Sequence, residues 1–296
     1  MFHGVMTALV TPFKNGQVDE CAFRAHLERQ IEAGVDAVVP AGSTGEAATL
    51  SVAEHKKVIQ MAVEQVNGRV PVIAGTGSNN TAESIELTQA AKALGADASL
   101  LISPYYVKPT QEGIYQHYKA IADAVHLPQI LYNVPGRTAS NIQPETVARL
   151  SHVSNIIAIK DATADMAQLT RTMMACEGRI LFYSGDDASV LPFMTLGGTG
   201  VISVVSNIAP KTMKAMVDAV VSKNFETAKA MHFALQNLTD AMFVESNPIP
   251  VKKACELLGW MDGELRLPLT EQAAENTAAL QQVMQGFQSD VESLNL

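Results

Sequence analysis

The chain has 296 residues, 47% hydrophobic and 17% charged, which excludes a disordered tail and allows one large domain or two small ones. A chain of this length buries about three-quarters of its unfolded surface and needs no disulfide or metal staple. With 21 basic and 30 acidic residues the net charge is −9, which argues against a general nucleic-acid partner but leaves room for a small anion held by a local pocket. In chain order, Met1-Phe2-His3-Gly4 lacks a charged region before its apolar run, so it does not read as a signal peptide. The first run, Val5 to Val10, is followed by a helical pattern from Glu20 to Ala33, stopped by Gly34. Further runs are Ala37–Val39, Val70–Ala74, Ser99–Ile102, Gln129–Tyr132, Ile156–Lys160, Ile180–Tyr183 and Gly200–Val204. Each of the eight is too short for a helix and apolar on both faces, as a strand covered on both sides should be.

The punctuation between the runs is helical. Ser51 with Glu54 predicts a capping box for a helix running toward Val66. Thr81 is placed as the cap of the next helix, which Gly95 ends, and Pro144 suits a first helical turn. Ala188 to Pro210 carries no charge, but Pro192, Gly197, Gly198 and Gly200 break it; it reads as a short helix, a turn and a buried strand, not a membrane span. The alternation predicts the α/β class: a (β/α)8 TIM barrel over residues 1–224 with a C-terminal helical extension over 225–296, interrupted at Asn247-Pro248-Ile249-Pro250. An open doubly wound sheet would want a glycine-rich phosphate turn after the first strand, and Thr11 to Gly16 is not one.

A barrel places its active site at the C-terminal ends of the strands. That rim carries Gly42-Ser43-Thr44-Gly45-Glu46, Gly75-Thr76-Gly77, Pro104-Tyr105-Tyr106, Tyr132 to Arg137, Lys160-Asp161 and Ser184 to Asp187. Of 13 lysines, Lys160 alone ends an apolar strand. With its stem among Ile157, Ile159 and barrel neighbours it loses solvation, its pKa falls, and a neutral amine can form a Schiff base with a carbonyl. For an arbitrary strand-end lysine, pairing with Asp161 or Asp187 is the stronger reading; the surrounding residues favour the nucleophile. Tyr132 ends the neighbouring strand and can pass protons, with Thr44 and Tyr106 extending the relay, although each tyrosine read alone is better explained by ring burial. The turn at Gly42–Glu46 suits a carboxylate held by amides at a helix N-terminus, or is an ordinary βα turn. Arg137 follows a Pro-Gly turn, and its fork suits a second carboxylate. No paired histidine spacing, G-x-S-x-G or Walker loop occurs, and Asp186-Asp187 has no evident third metal ligand. No metal or cofactor is therefore expected. The separated cysteines Cys21, Cys176 and Cys255 suit free thiols and a cytoplasmic protein.

Several motifs converge on one family. G-S-T-G-E at Gly42–Glu46, P-Y-Y at Pro104–Tyr106, Y-N-V-P-G-R-T at Tyr132–Thr138, I-K-D-A at Ile159–Ala162, S-G-D-D at Ser184–Asp187 and N-P-I-P-V-K at Asn247–Lys252 together resemble the dihydrodipicolinate synthase family, within the pyruvate-dependent class I aldolases that include N-acetylneuraminate lyase. The resemblance runs from Gly4 to about Leu269. It implies condensation of pyruvate with L-aspartate 4-semialdehyde through a lysine Schiff base, giving 4-hydroxy-tetrahydrodipicolinate for diaminopimelate and lysine biosynthesis. By position it implies Lys160 as the Schiff-base lysine and Tyr132, Thr44 and Tyr106 as the relay, Tyr106 coming from a neighbouring subunit. Arg137 would hold the semialdehyde carboxylate and Ser43 and Thr44 the pyruvate carboxylate, with Gly185 and Ile202 lining the pocket. A homotetramer, a dimer of dimers, is implied, as is a feedback site for lysine at His55, Asn79, Glu83 and Tyr105; Val52 stands where some sensitive members carry histidine. Ser43 is the residue typical of the lyase branch, whereas Arg137 favours the synthase. The alternatives are a related lyase acting on a sugar acid and a noncatalytic small-molecule-binding barrel.

Overall fold

The computed structural model describes residues 2–293, so Met1 and the last three residues of the anticipated extension lie outside the described residues. Eight parallel strands lie in one sheet: β1 (Gly4–Ala8), β2 (Ala37–Val39), β3 (Ile73–Gly75), β4 (Ala98–Ile102), β5 (Gln129–Asn133), β6 (Ile156–Asp161), β7 (Leu181–Ser184) and β8 (Gly200–Ser203). β1 pairs with both β2 and β8, and a parallel bridge from Val38 to Val72 closes the ring. The expected barrel is therefore present, with helices between the strands.

Side-chain alternation sorts each strand into an inward and an outward set. Met6, Ala8, Val39, Ile73, Leu100, Ile130, Tyr132, Ala158, Tyr183 and Ile202 fill the interior. Leu131, Ile159 and Phe182 face out and pack on the surrounding helices. This corrects the expectation that Ile159 flanks the Lys160 stem, because neighbours along a strand point to opposite faces. Lys160 shares the inward parity of Ala158.

Helix α1 (Glu20–Glu32) is capped by Asp19, whose carboxylate accepts from Ala22 N. Helix α2 (Val52–Val66) has the anticipated Ser51–Glu54 capping box. The next helix, α3 (Thr81–Leu94), is capped one residue earlier than expected: Asn80, not Thr81, accepts from Ala82 N, and the Thr81 hydroxyl meets His117 Nδ1 at 2.9 Å instead. Gly95 ends that helix with φ of 92°, a left-handed conformation that glycine adopts without strain. A two-stranded hairpin, Phe13–Lys14 with Gln17–Val18, was not anticipated; two-residue strands leave no periodic signal.

After β8 come α4 (Pro210–Val221), α5 (Phe225–Met242), α6 (Ile249–Leu257) and α7 (Ala274–Ser293), the last three forming the helical extension. Leu235, Leu238, Met242, Val251, Cys255 and Leu280 of these helices join Phe23, Leu27, Val58 and Met213 in one apolar cluster. Among the described residues no helix is long and apolar enough to cross a membrane.

Candidate active site

The centre of the rim is set by strand register. Tyr132 on β5 lies directly opposite Lys160 on β6, and Lys160 opposite Tyr183 on β7. Lys160 is 5% exposed, with Nζ 4.2 Å from the centroid of the Tyr132 ring. Burial pulls the ammonium down to about 7; Asp187 opposes the shift and Arg137 adds to it. Tyr132 is pushed up to about 12 by burial, against a smaller opposing effect of Arg137, so its phenol keeps its proton near neutrality.

The aspartates considered as partners for this lysine are engaged elsewhere. Asp161 Oδ1 accepts from Thr163 N and Oγ1 at 2.8 and 2.6 Å. Asp187 Oδ2 accepts from Val204 N and Val205 N at 2.9 and 3.1 Å, which stitches the end of β7 to the end of β8. Through Oδ2, Asp187 takes the turn role that the sequence suggested.

Gly185 packs where no side chain fits. A Cβ there would lie 2.8 Å from Lys160 Cε, 3.0 Å from Lys160 Cγ and 2.9 Å from Ala162 Cβ. Its own N–H donates to Asp161 O at 2.7 Å, fixing the loop against the lysine stem. Gly185→Ala must displace Lys160, and misplacing a reacting group by about 1 Å costs on the order of 100-fold. Turnover should fall by at least about tenfold while thermal unfolding stays cooperative; steady-state kinetics beside a circular-dichroism melt check this.

The turn after β2 is more tightly bonded than its glycines suggest. Gly45 N and Ala47 N donate to Gly42 O, and Glu46 N donates to Ser43 O. The turn leads into a three-residue 3-10 helix, Ala47–Thr49, and α2 begins only at Val52. The anticipated helix N-terminus at this turn is thus corrected to a hydrogen-bonded turn that contains Ser43 and Thr44 and precedes a 3-10 helix. Thr44 is buried, and its Oγ1 accepts from Asn247 Nδ2 at 3.0 Å. Asn247 O in turn accepts from Arg137 Nη2 at 2.9 Å, drawing the exposed Arg137 toward Thr44 from the short helix Pro135–Thr138. Ile202 is buried inside the barrel in the same interior cluster as Tyr132.

Behind the turn lies a fully buried ion pair that sequence reasoning missed. Lys252 Nζ meets Glu46 Oε1 at 2.7 Å, both side chains fully buried, and Nζ also donates to Glu264 O. The ammonium and the Arg266 guanidinium each lie 4.3 Å from the Phe13 ring centroid. The available signal was a lone charge in each of two otherwise uncharged motifs, G-S-T-G-E and P-I-P-V-K.

Tyr106 is not brought to the centre within one chain. It is 88% exposed, on left-handed backbone with φ of 69°, beside the exposed Val107. The four residues of the anticipated lysine site are close to one another. Asn79 Nδ2 donates to Tyr105 O at 3.2 Å, and Glu83 accepts from Ser78 Oγ and acts electrostatically on His55. His55 is 6% exposed and donates from Nε2 to Gly75 O at 2.7 Å, and burial lowers its pKa.

Comparison with known proteins agrees over nearly the whole chain. A family model described as the dihydrodipicolinate synthetase family matches residues 1–286. The 4-hydroxy-tetrahydrodipicolinate synthase of Citrifermentans bemidjiense is 56% identical over 287 residues, covering 97% of this chain and 99% of that one. A solved chloride-inhibited dihydrodipicolinate synthase from Acinetobacter baumannii, complexed with pyruvate, superposes with a TM-score of 0.96 at 47% identity, covering 97% and 99% of the two chains. A solved synthase from Cyanidioschyzon merolae with lysine bound gives a TM-score of 0.94 at 42% identity, covering 97% and 98%.

Proposed function

The chain belongs to the dihydrodipicolinate synthetase family, and from that premise we propose that it condenses pyruvate with L-aspartate 4-semialdehyde through a Schiff base on Lys160. The observation that carries this reading is a buried lysine whose amine is held near neutrality directly opposite a buried, protonated tyrosine. The neutral Nζ attacks the pyruvate ketone carbon, and loss of water leaves an iminium. Loss of a methyl proton gives the enamine, whose carbon attacks the semialdehyde aldehyde, the aldehyde oxygen taking a proton to become the hydroxyl. The substrate's amino group then displaces Nζ from the former ketone carbon, closing the ring and freeing Lys160.

Tyr132 and Thr44 hold and pass the protons, joined by Tyr106 from a neighbouring subunit; the exposure of Tyr106 in the single chain supports that assignment. Ser43 and Thr44 take the pyruvate carboxylate and Arg137 the semialdehyde carboxylate, while Gly185 and Ile202 line the pocket. No other cofactor enters these steps. A dimer of dimers in the cytoplasm fits this arrangement, as do three free thiols, two of them buried. The cluster of His55, Asn79, Glu83 and Tyr105 is read as a lysine inhibitor site, supported by its contiguity and by the lysine-bound relative. The synthase name of the 56%-identical relative disfavours both the sugar-acid lyase and the noncatalytic barrel.

A coupled assay with both substrates, repeated with added lysine, tests the reading. Arg137→Ala should lower kcat/KM for the semialdehyde by about 100-fold or more, because removing the cationic fork leaves the substrate carboxylate unpaired. The borohydride-trapped pyruvate adduct should persist. Equal loss of both would remove Arg137 from semialdehyde binding.

A further inference from the structure

We propose that Asn247, supplied by the segment leading into α6, is a positioning residue for the proton relay: its amide N–H holds the Thr44 oxygen as an acceptor, leaving the Thr44 proton free to be passed on. This deepens the relay reading above and rests on it.

The argument begins with donor and acceptor capacity. A threonine hydroxyl has one proton and two lone pairs, and an amide nitrogen only donates. Asn247 Nδ2 donates to Thr44 Oγ1 at 3.0 Å, with both residues buried. Among the described residues Asn247 is the partner of that oxygen, so the hydroxyl proton is directed away from the amide. A relay needs this bias, because a freely turning hydroxyl offers its proton in the productive direction only part of the time.

The same residue reaches the other end of the site through its main chain, where Asn247 O accepts from Arg137 Nη2 at 2.9 Å. Its placement is held from behind. Lys252, five residues on in α6, is paired with Glu46, two residues beyond Thr44, so two contacts fasten this segment to the turn. Asn247 Oδ1 is buried without a partner among the described residues. That acceptor is open to a donor from a bound substrate.

The test is a double-mutant cycle of Asn247→Leu and Thr44→Val, both close to isosteric, with kinetics for both substrates and a melt for each variant. Asn247→Leu should lower kcat roughly ten- to 100-fold, reaching only the lower end of general acid–base contributions because the relay hydroxyl itself is retained. KM for each substrate should stay within about threefold, because the bond to Arg137 comes from the main chain. In the Thr44→Val background the Asn247 change should cost less than about a further twofold, since the bond is already gone. Asn247→Asp, which can only accept, should fall at least as far as Asn247→Leu. If the leucine variant does not melt cooperatively, Asn247→Ala takes its place in the cycle. Unchanged kcat in Asn247→Leu while Thr44→Val is impaired, additive losses in the double variant, or activity retained by Asn247→Asp would each overturn the positioning role. Full turnover in Thr44→Val would overturn the relay itself, a failure that the single Thr44 variant reveals separately.

Discussion

Lys160→Met should abolish the borohydride-trapped pyruvate adduct and lower turnover by at least about 1000-fold, because the proposed Schiff base loses its amine and removal of a covalent nucleophile carries losses of that order. Mass spectrometry of the trapped native enzyme should place the adduct on Lys160; an adduct on any other lysine would sink the assignment. The pH profile follows from the same burial. Only the neutral amine attacks, and the ammonium is held at about 7. Adduct formation should therefore be slow at pH 5.5, climb through pH 7 and level above it. Arg137 contributes to the lowering, so Arg137→Ala should move the midpoint upward. Stability has its own sign. The folded pKa lies below the unfolded one, so the unfolded chain binds more protons between the two values and stability rises with pH across that window. The penalty for burying the charge is complete below pH 7. Lys160→Met should accordingly melt no lower than the native protein at pH 6, which separates its lost chemistry from misfolding.

What the sequence made legible follows from the range of the interactions. Eight buried strands stand out because each is a short apolar run between helix caps, and register then puts Tyr132 beside Lys160 without further information. The capping box at Ser51 is local and was readable, whereas the choice between Asn80 and Thr81 depended on His117, 36 residues from Thr81, taking the threonine hydroxyl. Gly185 was named by motif, but its reason, contact with the Lys160 stem, needs the β6–β7 packing. Asn247–Thr44 and Lys252–Glu46 join residues 203 and 206 positions apart, on elements that no periodicity connects. The same distance hid the involvement of the C-terminal helices in the rim, which looked like an appendage to the barrel in the sequence.

Lys252→Met should destabilise the chain by about 3–5 kcal/mol, the range for removing one partner of a buried ion pair. Glu46 would keep its contact with Arg266 N at 3.2 Å, but its charge would remain fully buried without the ammonium, and Glu264 O would lose a donor. Urea unfolding followed by the fluorescence of Trp260 measures the loss; that single tryptophan belongs to the C-terminal region, 5.1 Å from the Arg29 guanidinium on α1. The double variant Glu46→Gln with Lys252→Met removes both charges while leaving a neutral side chain to accept from Arg266 N. It should recover most of the stability, to within about 1–2 kcal/mol of the native chain, because buried pairs offset their own desolvation only narrowly. Turnover should not recover in parallel. The pair also fixes the Thr44 turn against the segment that carries Asn247, and a neutral pair restores burial without restoring that clamp. If stability and turnover return together in the double variant, the ion pair contributes compensation of charge and nothing to the geometry of the site. If stability alone returns, the charge has been kept at the centre of the fold for the alignment that it imposes on Thr44.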